Sequence, residues 1–117
     1  MPWVYDPHRG GVKIPKKRHH EILLQVEKYA RTRSWYPKIQ LKARIKSQFC
    51  YVATIEESDV RPLPLCRLRF FRENIWSLAL FTYSNERYEP CAFSNGKLEG
   101  SLEDALLLCE PFITGLI

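Results

Sequence analysis

Several ingredients of common functional sites are scarce in this sequence. Its 117 residues include four cysteines, five glycines, three histidines and one methionine. The cysteines, at positions 50, 66, 91 and 109, are separated by 16, 25 and 18 residues. No Cys-x-x-Cys pair exists, which excludes the spacing of a zinc ribbon or a thioredoxin-like redox motif. Each cysteine lies in an apolar stretch (Phe49-Cys50-Tyr51, Leu65-Cys66, Cys91-Ala92-Phe93, Leu108-Cys109), a setting that predicts buried, reduced thiols acting as small hydrophobes. The glycines form no phosphate-cradling pattern, and Gly10-Gly11 is their only pair. His19 and His20 are adjacent and would point about 100° apart on a helix, so they are not an i, i+4 ligand pair. Neither a metal nor a cofactor is expected. The longest strictly apolar run, Ala105 to Cys109, is far short of the roughly 20 residues of a membrane helix. Met1 to Asp6 lacks the basic-then-apolar order of a secretory signal. The expectation is a cytoplasmic protein with no membrane partner.

What is present suits one globular domain over residues 1–117, with 45% hydrophobic, 13% aromatic and 26% charged residues. The net charge of +5 hides an asymmetry. Met1 to Lys46 holds 12 Lys/Arg against 3 Asp/Glu, a net +9, whereas Ser47 to Ile117 holds 6 against 10, a net −4. Such a split marks a surface for nucleic acid or an acidic partner, or it vanishes when the halves fold against each other.

Residues 1–15 read as an irregular arm, with turn chemistry at Asp6-Pro7-His8-Arg9-Gly10-Gly11 and with Trp3, Val4 and Tyr5 apolar enough to pack on the body. A helix is predicted from Lys16 to Arg33, since Ile22, Leu23, Val26, Tyr29 and Ala30 recur at helical spacing. The period then changes to two. Residues 38–46 alternate strictly, which predicts a half-buried strand with Ile39, Leu41, Ala43 and Ile45 facing the core. Further strands are predicted at Phe49–Ile55, Leu65–Phe71, Ile75–Tyr83 and Arg87–Phe93, with an acidic, proline-containing loop from Glu56 to Pro64. Asn95-Gly96 is a hairpin signal. Ser101 with Asp104 resembles a helix start, and Pro111 is expected to end or kink that helix. The tail from Phe112 to Ile117 is apolar and is expected to enter the core or cover a partner subunit. Short links imply antiparallel pairing. The fold class is α+β: a two-layer sandwich of about five strands with both helices on one face.

The candidate site lies on the first strand. Lys38, Lys42, Arg44 and Lys46, with Gln40 among them, share one side and form a basic row about 27 Å long. Arg67 and Arg69 alternate in the same way on a later strand, so a shared solvent face would turn the row into a patch. Tyr51, Phe71 or Trp76 could then offer stacking surfaces for unpaired bases. The competing reading is a solvated edge strand whose lysines prevent edge-to-edge pairing. A second cluster, Lys13, Lys16, Lys17 and Arg18, sits where positive charge opposes the helix dipole, which reads either as a solvated, basic first turn or as a site for an external anion. Trp76, Phe81 and Tyr83 would line any small-molecule site between sheet and helices. No nucleophile–base signature surrounds the cysteines, and Glu56, Glu57 and Asp59 fall in the expected loop, so no catalytic residue is assigned.

Four blocks (Tyr5–Pro15, Phe49-Cys50-Tyr51, Leu65–Phe71 and Thr82–Pro90) resemble those of small prokaryotic proteins of similar length and uncharacterised function. That resemblance implies a prokaryotic source and a single domain, and it carries no mechanism. The residues themselves favour a non-enzymatic module that engages nucleic acid or another polyanion. The alternative is a protein–protein module or homodimer that uses the apolar C-terminal tail.

Overall fold

The computed structural model describes residues 10–115; Trp3, Val4, Tyr5 and His8, whose placement was anticipated above, and Leu116-Ile117 of the tail lie outside them. The order is α1 (Lys16–Arg31), β1 (Ile39–Lys46), β2 (Phe49–Glu56), β3 (Asp59–Arg72), β4 (Ile75–Thr82), β5 (Arg87–Cys91) and α2 (Leu102–Thr114). The five strands form one antiparallel meander in the order β1-β2-β3-β4-β5. Both helices cover the same face, as the α+β reading expects. α1 lies over β1 and α2 over β3 and β4.

The alternation in the sequence explains why. Ile45, Cys50, Leu68, Leu78 and Cys91 fall in one cross-strand register on the helix side, and three of these five are essentially inaccessible. α1 answers with Ile22, Val26 and Ala30, spaced four apart so that they make one stripe. α2 contributes Leu102, Ala105, Leu106, Cys109 and Ile113. Each of the larger side chains in this layer stabilises the fold by about 1.5–3 kcal/mol. All four cysteines are free; Cys50, Cys66 and Cys109 are buried, and Cys91 is half-buried. Burial pushes the Cys50 thiol up to about 12. The Cys66 thiol is also raised, first by its hydrogen bond with Cys109 and then by burial. Both stay protonated.

Several expectations are corrected. α1 stops at Arg31, where the Thr32 hydroxyl donates to the Tyr29 carbonyl at 2.7 Å. The acidic segment before Leu65 is not a loop: Asp59 to Pro64 is the first part of β3, and only Glu57-Ser58 turns. Prolines are tolerated there because β4 pairs with β3 only from Cys66 onward, which leaves one side of residues 59–65 without a ladder partner. Register shifts near Ala53 and Thr54 take up the remaining mismatch. β5 ends at Cys91, and the Asn95-Gly96 turn leads not into a strand but to a single bridge between Gly100 and Trp76. α2 continues through Pro111 to Thr114. The proline forfeits one bond near the helix end, while Ile113 in the last turn is fully buried.

α2 starts as predicted, with the Ser101 hydroxyl accepting from the Asp104 N–H at 3.1 Å. Near its other end one carboxylate ties both helices and the loop between α1 and β1. Glu110 accepts from the Tyr29 hydroxyl at 2.8 Å, from Trp35 Nε1 at 2.7 Å and from Arg33 Nε at 3.1 Å. Burial alone would raise the Glu110 pKa, but these three donors and the Arg33 charge outweigh it and hold the carboxyl below its ordinary 4.5. The contribution is therefore complete above pH 4.5 and is lost as pH falls through the lower, folded value. Trp35 is buried, so Glu110→Ala leaves an indole N–H unsatisfied and is expected to cost about 1–3 kcal/mol in urea unfolding at pH 7. Glu110→Gln, which keeps an acceptor, should lose less, and its deficit should shrink as the pH falls below the normal carboxyl range.

Candidate nucleic-acid interface

With both helices on one side, the other face of the sheet presents Gln40, Lys42, Arg44 and Lys46 from β1, Phe49, Tyr51, Ala53 and Ile55 from β2, and Pro64, Arg67 and Arg69 from β3. β4 adds Ser77, Ala79 and Phe81, and β5 adds Tyr88 and Pro90. No acidic residue occupies these paired positions. Arg44, Tyr51, Arg67 and Ala79 stand in one row, and Lys46, Phe49, Arg69 and Ser77 in the next. The anticipated row and the later arginines thus share a face.

The cations stack on rings. The Arg44 guanidinium lies 4.5 Å from the Tyr51 ring centroid. Arg67 lies 4.7 Å from Phe49 and 5.2 Å from Tyr88. Beneath them runs a continuous chain of rings. Phe49 meets Tyr51 at 5.9 Å, Tyr51 meets Tyr88 at 5.7 Å, Tyr88 meets Phe81 at 5.1 Å and Phe81 meets Tyr83 at 4.9 Å. Tyr51 and Tyr88 belong to strands separated by β3 and β4, and they lean toward each other where Ala79 takes up little room. Burial raises the Tyr88 phenol pKa, with Cys66 and Tyr51 adding to the shift and Arg44 and Arg67 opposing it. The phenol is neutral at physiological pH and places no negative charge on the face.

Elsewhere five arginines pair with acids: Arg18 with Glu21 and Glu73, Arg31 with Glu27, Arg33 with Glu110, Arg61 with Asp59 and Arg87 with Glu89. Among the described residues, no carboxylate lies within ion-pair distance of Lys42, Arg44, Lys46 or Arg67. The charge of the basic half is therefore not cancelled at this surface by the acidic half.

Not every candidate belongs here. β1 is an edge strand, so its lysines also guard against edge pairing; Arg67 and the rings of the inner strands carry the face beyond a guarded edge. Lys38 is exposed but precedes β1, and its carbonyl accepts from the Glu57 N–H. Arg69 shares the face yet is only 6% exposed. It donates to the Gly10 carbonyl at 3.0 Å and stacks over Phe49 at 4.7 Å. Lys16, Lys17 and Arg18 belong to the first turn of α1, in the helix layer, and Arg18 is engaged by two glutamates. Lys13 is exposed beside the β1–β2 turn, where the next residue, Ile14, donates to Ser47. His19 is a boundary residue, with Nε2 3.1 Å from the Ile14 carbonyl.

Trp76 is removed from both roles considered for it. It is buried on the helix side, edge-on to Phe70 at 5.0 Å, because it lies in β4 in phase with Leu78. Phe71 is half-buried at the end of β3. Phe81 and Tyr83 line a recess of about 250 Å³ with Leu63, Pro64, Leu80 and Phe112, without Trp76. Phe49 and Tyr88 were not singled out from the sequence. The signal available was their parity: Phe49 falls on the opposite phase from the buried Cys50, Val52 and Thr54 of β2, and Tyr88 pairs with Phe81 on the open face.

No family model, curated protein or solved structure matches this chain.

The arm fixes one end of the face. Val12 donates to the Phe70 carbonyl at 2.9 Å, and Gly11, at φ +81°, passes so close that a Cβ would stand 2.9 Å from Arg69 Cγ and from the Phe70 oxygen. Gly10 has a similar φ of +77° but only the Phe71 ring nearby, at 3.7 Å. Gly11→Ala is expected to cost more stability in urea unfolding than Gly10→Ala. Both carry the left-handed strain of about 1–3 kcal/mol, and only Gly11→Ala adds a clash with β3.

Proposed function

We propose that this protein is a binding module that engages nucleic acid through the open face of its sheet. The observation that carries the reading is the set of cations Lys42, Arg44, Lys46 and Arg67, which have no acidic partner among the described residues, interleaved with a chain of aromatic rings at paired sheet positions that hold no acidic residue. Cations alone would suit any polyanion. Rings among them suit a ligand that alternates phosphates with flat, stackable bases, which an acidic polypeptide does not. The buried thiols fit a reducing cytoplasm, where such ligands are found. The reading assigns no catalytic residue and needs no cofactor.

Affinity for a single-stranded oligonucleotide should fall with salt at a log–log slope of roughly −3, about −0.7 for each of four neutralised phosphates. Lys42→Glu combined with Arg44→Glu should weaken binding about 10-fold or more and flatten the slope by about half. A flat salt response of the unmodified protein, or no retention at about 50 mM salt, would exclude the proposal.

A second reading, self-association, is favoured by the exposure of Phe112 (58%) and Tyr83 (59%) around the recess at the end of α2. It requires a concentration-dependent dimer in light scattering that Phe112→Ser abolishes. A monomer throughout the concentration range removes it.

A further inference from the structure

The open face is not uniform. Where the β2–β3 register shifts, next to Ala53, it dips into a recess of about 270 Å³ lined by the touching Tyr51 and Tyr88 rings, by Pro62 and Pro64 and by Lys42 and Arg44. That volume falls just under the roughly 300–1,000 Å³ of pockets that enclose drug-sized ligands. It suits a single planar ring better than a whole nucleotide. The walls are flat and apolar, two aromatic rings and two proline rings, while the charges stand only at the mouth. A base attached to a phosphate finds both of its halves matched.

We propose that this recess anchors one unpaired base of a single-stranded nucleic acid, stacked against Tyr51 and Tyr88, while Lys42 and Arg44 hold the phosphates on either side of it. The inference rests on the nucleic-acid reading above and narrows it to single strands. In a duplex both faces of a base are already stacked and its inner edge is paired, so no ring is free to enter. The Arg44 guanidinium, 4.5 Å over Tyr51, and the Arg67 guanidinium, 5.2 Å over Tyr88, carry positive charge from the recess toward β3. The neutral phenol of Tyr88 offers a donor to base edges and does not repel the incoming backbone.

The test is fluorescence anisotropy on the full chain with three labelled strands of equal length, about 12 nucleotides: an oligothymidylate, an abasic deoxyribose-phosphate oligomer and a duplex. The thymidylate should bind at least about fivefold more tightly than the abasic strand, the effect of one stacked base, and more tightly than the duplex. Tyr88→Ala should remove most of the thymidylate-over-abasic preference, and Tyr88→Phe, which keeps the ring, should restore it. Equal affinity for thymidylate and abasic strands would overturn the base anchor and leave the electrostatic reading standing. Tighter binding of the duplex would also overturn the anchor. Binding of polyglutamate with none of any nucleic acid would overturn both. The comparison on the unmodified protein decides the matter even if Tyr88→Ala fails to fold.

Discussion

Two helices flank the sheet in sequence, and both pack on the same side of it. Everything distinctive about the other side follows from that placement. A five-stranded antiparallel sheet with one face covered must make its second face compatible with water. Here that is done without a simple coat of mixed charge. Arginine guanidinium groups lie over tyrosine and phenylalanine rings, so that apolar area is shielded by charged groups. Acids are absent from the same positions, and the cations consequently keep their charge available. The device that makes the face tolerable in water is also the one on which the nucleic-acid proposal rests.

The face is organised by its neighbours as much as by its own residues. At one end the arm crosses β3, takes a hydrogen bond from Arg69 and removes that arginine from the accessible surface. At the other, the first part of β3 runs beyond the reach of β4, which admits Pro62 and Pro64 into a strand and gives the recess its walls. Behind the sheet, Glu110 gathers donors from α1 and from the α1–β1 loop. That tie holds the helices where they leave the cationic side bare. The arm, the helix layer and the open face are thus mechanically linked, although the chemistry proposed here belongs to one surface.

Much of the architecture was legible from period alone. The strict alternation from Ile39 to Lys46, the stripe Ile22-Val26-Ala30 and the cap at Ser101 are local patterns, and local physics suffices to read them. The same parity left open whether Arg67 shares the side of Lys42, Arg44 and Lys46, and the strand register places it there. Period alone failed where a local signal was outvoted by pairing. Glu56 to Pro64 looks like a loop because it is acidic and carries two prolines, yet β2 recruits its part from Asp59 onward, and the side without a partner accommodates the prolines. Trp76 looks like a stacking residue until its register with Leu78 places it in the core. Pro111 looks like a stop, but burial of Ile113 outweighs one lost hydrogen bond.

By itself, then, the shortage of ligand-forming residues and the alternation of apolar with basic ones determined a two-layer α+β sandwich with a basic surface. Those properties follow from composition and from dihedral periods of two and 3.6, which are encoded over a few residues at a time. Only the tertiary structure decided that β1 is an edge, that Arg69 is buried under the arm, and that Tyr51 and Tyr88 meet across two intervening strands. Each depends on the order of strands and on the lean of side chains toward distant neighbours. Such non-local contacts are set by pairing and packing energies summed over the whole sheet, and no stretch of the chain carries them alone.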